Sequence, residues 1–594
     1  MKYYIGLACT GHENALAIVN PDGEIVFAEA TERFLQNKRA VNTPPDDPLR
    51  IPRLLKQYCG DCDAIVVAKT WSREAPQKMR TDAAHILKAL AGTDARTDRD
   101  WVARVAFHAG LGDKLIEPNY RLAGNGIERY CSLQGLEHSV RSYEHHLTHA
   151  AYACHTSPFD DAVCAVFDGY GEGVHSSYFH YRNGKVEPIR RARSAKGQYG
   201  SLASLGLYYG YTICALLGLD IVNGEEWKVM GLAPYGQLNP AFLDVLRRHI
   251  YVDGLDLVMD GNAAGTYREL QAFARRPGQS YESVADIAYT AQHYFSELML
   301  EMLAGLRQLG LSDRLVLTGG CALNSTFNGE VIPRSGFAQL YVPPAPSDDG
   351  NAVGAALLAY AEDGGAMPRP AFHSPYLGSA IDDRELTPFL KNGAMLGQVP
   401  VTPGELCDYV AQELADGKVI GWIQGSAEFG PRSLGNRSIL ADPRRASMKE
   451  RINAIVKFRE GFRPFAPSIL DEFGDRYFED YSATPYMEKT LKIREAYREA
   501  IPAVCHVDHT GRLQTVRRDW NPRFHALLSA FHARTGTPVL LNTSLNVMGK
   551  PIVHSAADAF TVFLSTGLDL LVINDGLIVL QVERVVGEEI ETVV

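Results

Sequence analysis

The chain of 594 residues reads as an α/β protein of two domains, on three observations. A β-rich apolar run followed by a glycine-rich turn and a helical segment recurs through the first part of the sequence. A stretch at 363–376 with Gly364, Gly365, Pro368, Pro370 and Pro375 interrupts that pattern, as a linker does. The remainder has strand-like segments of its own and enough residues for a separate core. The predicted units are therefore 1–365 and 366–594.

Taken in order, residues 3–8 and 15–19 read as strands, and a Pro21-Asp22-Gly23 turn leads to a third at 24–28. From 44 to 141 the pattern is mostly helical and polar, apart from an apolar run at 64–68. Residues 162–167 form a strand that ends in Asp168-Gly-Tyr-Gly-Glu172-Gly173, and Asn183-Gly184 marks a hairpin. A strand at 314–318 ends in Gly319-Gly320, and an Ala-rich helix at 351–361 follows Ser347-Asp348-Asp349-Gly350. Past the linker, 418–424, 538–541 and 570–574 read as strands. No short-period repeat is visible.

Composition narrows the function classes. Apolar residues make up 46% and charged residues 22%, the balance of a globular protein and not of a disordered one. With 59 Lys plus Arg against 70 Asp plus Glu, the formal charge is −11. That disfavours nucleic acid or an anionic membrane as a partner. No run of 18 apolar residues occurs; the stretch at 211–222 is broken by Gly or Asp. Met1-Lys-Tyr-Tyr-Ile-Gly-Leu reads directly as a strand without signal-peptide features, so a cytoplasmic protein is expected. The ten cysteines are scattered, with Cys164, Cys214 and Cys407 inside apolar segments, as small buried residues of a reducing compartment are. Cys59-Gly-Asp-Cys62 has CxxC spacing, which fits zinc or redox chemistry, but no second pair follows and a strand begins at once.

Four constellations carry chemistry. In Tyr143-Glu-His145-His-Leu-Thr-His149, the two histidines stand at i and i+4 on one helix face, as two ligands of one cation require, while His146 points elsewhere. A polar helix face gives the same spacing; Asp168 and Asp348, each after a strand and beside glycines, favour a mixed N/O site for Fe(II), Mn or Zn with open positions. Second, the turns at Asp168-Gly169-Tyr-Gly171-Glu172, Gly319-Gly320-Cys-Ala-Leu-Asn324 and Asp348-Asp-Gly either close the fold or offer backbone N–H groups to phosphates. Three in one domain resemble the nucleotide site of the actin and hexokinase superfamily. Third, Glu428-Phe-Gly-Pro-Arg432, Lys457-Phe-Arg459-Glu-Gly-Phe-Arg463, Arg512 and Asn542-Thr-Ser544-Leu-Asn546 concentrate basic groups among Phe, Pro and Ile. An anion site is the reading, against a solvated basic face. Fourth, His12 lies in a loop between two strands, Glu32-Arg-Phe with Lys38 follows the next strand, and Lys228-Val-Met-Gly-Leu-Ala-Pro-Tyr-Gly236 is either a lid or a packed turn.

Together these stretches resemble the O-carbamoyltransferase family of antibiotic and nodulation-factor biosynthesis, nearly end to end. The resemblance rests on His12-Glu-Asn-Ala, Glu32-Arg-Phe with Lys38, the HHxxHA run at 145–150, Asp168-Gly-Tyr-Gly-Glu, the Lys228 to Gly236 segment, Glu428-Phe-Gly-Pro-Arg, Phe462-Arg-Pro-Phe-Ala-Pro-Ser and Asn542-Thr-Ser-Leu-Asn. Ser433, Leu545 and Cys321 depart from residues common among relatives, and none is a proposed ligand.

The resemblance implies an N-terminal domain similar to the threonylcarbamoyl-transferase type, a two-lobed actin-hexokinase-like fold, and a C-terminal YrdC-like α/β domain. It implies that the latter makes carbamoyl-adenylate from carbamoyl phosphate and ATP, with Mg accompanying the ATP, using Arg432, Lys457, Arg459, Arg463, Arg512, Asn542, Ser544 and Asn546. The intermediate then reaches the first domain, where a metal on His145, His149, Asp168 and Asp348 orients it. Lys38, Lys228 and the turn residues Asp168, Gly169, Gly171, Glu172, Gly319, Gly320 and Asn324 bind substrate or nucleotide. The acceptor is a hydroxylated small natural product, and His12 takes its proton or positions it. A homodimer is the default expectation for a soluble enzyme of this size. Two other readings stay open: a small-molecule kinase on the same N-terminal fold, which leaves the His pair and the C-terminal domain without a role, and a non-catalytic nucleotide-binding module.

Overall fold

The computed structural model of the chain describes residues 1–581 apart from 91–92, 95–97, 192–198, 222, 369–370 and 393–395. Pro370 of the predicted linker, Val222 and the last stretch of the C-terminal unit, 582–594, lie outside the described residues.

Two five-stranded sheets organise the N-terminal part, and they share one topology. Across the first run Ile25–Ala30, Ala15–Val19, Lys2–Ala8, Ala64–Thr70 and Glu137–Tyr143. Across the second run Lys185–Arg191, Val174–Arg182, Asp161–Gly171, Arg314–Thr318 and Gln339–Tyr341. In each, three consecutive strands make an antiparallel meander and two later strands add in parallel beside the first. Parallel additions need long crossovers, and helices supply them. This duplicated pattern is the actin-hexokinase type of α/β fold that the turn motifs predict.

The helix Asn351–Glu362 packs on the strand Lys2–Ala8 and along the helix His145–Thr156. Gly354 makes that pairing close: a Cβ there would lie 1.9 Å from the Thr148 carbonyl oxygen. The contact brings the Asp348 turn, just before one helix, against the first turns of the other.

The C-terminal part is a nine-stranded mixed sheet in the order Leu396–Pro400, Leu577–Gln581, Leu570–Ile573, Ile420–Ile423, Arg437–Ala441, Val539–Ser544, Ala466–Leu470, Thr510–Val516, Lys489–Lys492. Strand alternation feeds a core on each face. Trp422, Leu440 and Leu540 meet the helices Leu406–Ala415 and Pro522–Thr535, while Ile423, Ile439 and Leu541 meet Ala556–Ser565. The two parts are sewn together. Phe462, from a C-terminal loop, is 2% exposed and belongs to the N-terminal core. The helix Ser325–Ser335 packs on the edge strand Lys489–Lys492, where Asn328 donates to the Glu488 carbonyl oxygen at 2.8 Å.

Two sequence expectations change in detail. The segment read as helical to residue 141 ends in the strand Glu137–Tyr143, whose half-exposed polar side chains hide its period. The strand read as ending at 167 continues to Gly171 through an irregularity, so Asp168 lies within it rather than after it. Among the described residues all ten cysteines are free, and no helix is long and apolar enough to cross a membrane.

Candidate functional site

Two clusters meet the chemistry that the sequence singles out. The first is built on the helix His145–Thr156, whose start is capped by Glu144 accepting from the Leu147 amide at 2.9 Å. The cap places His145 and His149 one turn apart on the same face, both buried. Asp168 comes from the second sheet and Asp348 from the turn before Asn351–Glu362. One ligand atom from each of these four lies within 4.8 Å of the others. His145 Nε2 stands 3.3 Å from Asp168 Oδ2 and 3.4 Å from Asp348 Oδ1; His149 Nε2 stands 3.3 Å from Asp348 Oδ1 and 3.9 Å from Asp168 Oδ2. Ligands held about 2.1 Å from one ion stand roughly 3.0–3.5 Å apart, so three of these four separations and the mixed N/O donor set fit a divalent cation.

The electrostatics agree. Burial alone would lower the pKa of His145, but Asp348 and Asp168 outweigh it and push the imidazole up to about 10. Burial and Asp348 work to raise Asp168, yet the two histidines hold it down, at about 2, and Asp348 is held well below the usual carboxylate range by the same partners. The cluster demands positive charge, from a proton or from a metal ion.

The surrounding glycines serve this geometry. A Cβ on Gly171 would lie 2.3 Å from His146 Nε2 and 2.9 Å from His145 Cδ2, so only glycine lets the rings pack there. Gly320 N–H donates to Asp168 Oδ1 at 3.1 Å, which makes the Gly319-Gly320 turn a support for the ligand. A Cβ on Gly169 would meet nothing within 4 Å, so open space adjoins Asp168. His146 does point elsewhere, with Nδ1 2.8 Å from Ser177 Oγ. His12 sits in the loop after the first strand, 42% exposed at its side chain, within the field of Asp348 and Asp168. Burial and then Arg39 lower its pKa, against Glu13, Asp348 and Asp168, which raise it. Lys38 lies at the surface, 3.4 Å from Glu32.

Four expected substrate contacts are occupied by the fold itself. Glu172 is sealed in, accepting from Ser72 N and Oγ at 2.7 Å each and from Lys78 at 2.6 Å. Asn324 caps the helix Ser325–Ser335 through Phe327 N at 3.1 Å and pairs with Gln292 at 2.9 Å. Asn542, 1% exposed, donates to Ser433 O, Ser468 Oγ and Gln514 Oε1 inside the C-terminal sheet. Lys228 is bound by Glu225 at 2.6 Å and Glu460 at 2.8 Å, and so acts as a tie between the two parts of the chain. Amides and charged groups in motifs of this kind look alike in sequence whether they face a ligand or the fold.

The second cluster lies in the C-terminal part. Lys457 Nζ is buried and donates to Asn546 Oδ1 at 2.7 Å, to Asn546 O at 3.1 Å and to Ser544 Oγ at 3.2 Å. Arg459 lies over Phe465 at 4.6 Å and Arg463 over Trp227 at 3.7 Å. Burial lowers Arg432 to about 10; burial and then Arg463 lower Arg459 to about 9. Arg512 is pushed well below its ordinary range by burial and then by Arg432, Arg459 and Arg463. Among the described residues no carboxylate comes within ion-pair distance of Arg432, Arg459 or Arg512. Arg463 pairs with Glu460 at 3.5 Å, while Arg432, Arg459 and Arg512, crowded together without counter-charges, form a site that an anion completes. Arg437, in the same basic run, is different: fully buried, it donates to the carbonyl oxygens of Gln424, Asn436, Ser379 and Gly425 and holds the loop.

A duplicated actin-hexokinase-type framework with one centre that attracts a cation, joined to a sheet domain with one that attracts an anion, defines the class: an α/β group-transfer enzyme. Family models narrow it. "Carbamoyltransferase N-terminus" matches residues 3–357 and "Carbamoyltransferase C-terminus" matches 411–579, so the chain belongs to the carbamoyltransferase family and is a carbamoyltransferase. It is 39% identical over 582 residues to Nodulation protein NolNO of Sinorhizobium fredii, covering 96% of this chain and 79% of that protein. It is 29% identical over 568 residues to Nodulation protein U of the same species, covering 92% and 94%. Among solved structures, HypF of T. kodakarensis aligns with 61% of this chain and 48% of its own at 14% identity and a TM-score of 0.30.

Proposed function

We propose that the protein is an ATP-dependent O-carbamoyltransferase that works in two half-reactions, divided between residues 366–594 and 1–365. In the C-terminal, YrdC-like unit, carbamoyl phosphate, water and ATP give carbamoyl-adenylate, pyrophosphate and phosphate. Arg432, Arg459, Arg463 and Arg512 hold the phosphate oxygens, and Lys457, fixed by Ser544 and Asn546, adds a point charge at the reacting end. In the N-terminal unit the hydroxyl oxygen of a small natural product attacks the carbamoyl carbon, the bond to AMP breaks, and AMP leaves.

Carbamate is a poor electrophile, and adenylation supplies it with a good leaving group. His145, His149, Asp168 and Asp348 would hold a divalent ion such as Fe(II), Mn or Zn, which would supply stabilisation of negative charge developing on oxygen. His12, whose pKa is lowered by burial and then by Arg39 and which lies within the field of Asp348 and Asp168, accepts the hydroxyl proton as the new bond forms. Gly169 leaves room for the incoming groups.

The observation that carries this reading is the pair of opposite centres in one chain, a four-ligand cluster in need of a cation and an arginine group in need of an anion. A kinase leaves the His145 and His149 pair and the whole C-terminal part without a role. Incubation with ATP, carbamoyl phosphate and a panel of hydroxylated natural products should yield AMP and pyrophosphate together with a product heavier by one carbamoyl group in mass spectrometry. ADP as the sole nucleotide product overturns the reading.

A further inference from the structure

We propose that Trp71 is a positioning residue for His145, fixing by ring stacking the orientation that a hydrogen bond fixes in most metal-ligating histidines. The inference rests on the reading of the four-residue cluster as a cation site.

A histidine that ligates through one ring nitrogen almost always donates from the other to a carbonyl or carboxylate, which sets the plane of the ring. His145 lacks that device. Its Nε2 faces Asp168 and Asp348, and its buried Nδ1 makes no hydrogen bond among the described residues. The indole of Trp71 lies flat against the imidazole instead, with centroids 4.2 Å apart and planes 22° from parallel. Trp71 is 1% exposed, so the stack is sealed from water.

The backbone holds Trp71 there against its own preference. Trp71 directly follows the strand Ala64–Thr70 and has φ +89°, a left-handed conformation that is unfavourable for a bulky side chain. Such strain persists only where surrounding contacts impose it, and it gathers at functional sites. Here they are explicit. Ser72, the next residue, gives both its amide and its hydroxyl to Glu172 at 2.7 Å each, Lys78 pairs with Glu172 at 2.6 Å, and the amide of His145 itself points at Glu172 Oε1 at 3.3 Å. One buried carboxylate thus ties the strained turn and the start of the ligand helix together. A cationic imidazole, whether protonated or bound to metal, also gains from the face of an indole.

The test compares the full-length protein with Trp71→Leu and Trp71→Phe, titrated with Co(II) by calorimetry after removal of bound metal. Trp71→Leu should weaken Co(II) binding by about 10–100-fold, the range for residues that orient a ligand, whereas Trp71→Phe, which keeps a ring, should stay within about threefold of the parent. Pyrophosphate release from carbamoyl phosphate and ATP should be unchanged in both. Equal Co(II) affinity in a folded Trp71→Leu variant overturns the inference. If that variant does not fold, tryptophan emission decides: Co(II) should quench the parent strongly and Trp71→Phe much less, and equal quenching overturns it. A parent that binds no Co(II) at all removes the cation site itself, a different failure from a parent and a Leu variant that bind it alike.

Discussion

Replacing Arg512 by Ala separates binding from stability. Arg512 makes no ion pair among the described residues, and burial and then Arg432, Arg459 and Arg463 disfavour its charge, so the guanidinium costs stability by itself and is stabilised when an anion binds. A guanidinium forms two parallel bonds to phosphate oxygens, and at about 1.5 kcal/mol for each charge-assisted bond its loss removes about 3 kcal/mol, or roughly 100-fold in affinity. Pyrophosphate at 100 times the parent's Kd stabilises the parent by about 2.7 kcal/mol; at that concentration the variant, now at its own Kd, gains only about 0.4 kcal/mol. Thermal melting with and without pyrophosphate reads both quantities. We expect the ligand-induced shift to collapse while the ligand-free melting temperature stays level or rises, and supplied carbamoyl-adenylate to restore transfer. A variant that melts several degrees lower without ligand, or that keeps the full shift, refutes the reasoning.

His149→Ala should reduce bound metal and abolish carbamoyl transfer while leaving pyrophosphate release intact; equal loss of both steps with metal retained refutes the division of labour. The metal-free cluster should also show a definite pH response. His145 is raised from 6.5 to about 10 because Asp348 and Asp168 outweigh its burial, so its contribution to metal-free stability is fully present below pH 6.5 and fades as the pH climbs through about 10. An entering ion must displace that proton, so affinity rises with pH over this window; calorimetry in buffers of different ionisation enthalpy should find about one proton released per ion at pH 7.5.

The cluster of His145, His149, Asp168 and Asp348 was legible because its rules are local. The i, i+4 spacing of His145 and His149 puts two imidazoles on one face wherever the helix lies, and the glycines after Asp168 mark open space at Gly169 and close ring packing at Gly171. The basic group was legible as a concentration of charge. What the sequence hides are properties that only packing decides. Glu172, Asn324, Asn542 and Lys228 stand in motifs beside true candidates and carry the same functional groups, yet their hydrogen bonds run inward. Trp71 has no pattern around it at all, because its role lies in a stack with a residue 74 positions later and in a backbone angle that no residue type announces. The strand Glu137–Tyr143 escaped because its half-exposed polar side chains conceal a period of two.

The seam between the two parts of the chain bears on how such enzymes are recombined. Phe462 plugs into the N-terminal core, Glu460 grips Lys228, and Arg463 rests on Trp227, so the loop that carries Lys457, Arg459 and Arg463 takes its shape from residues more than two hundred positions earlier. A hybrid that joins the N-terminal half of one relative to the C-terminal half of another inherits the clustered arginines but not the surface that shapes them. Acceptor range should therefore be exchanged by grafting with the segment from Glu225 to Leu232 matched to its own 457–463 loop, and a cut in the proline-rich stretch alone should yield chimeras that fold yet activate carbamoyl phosphate poorly.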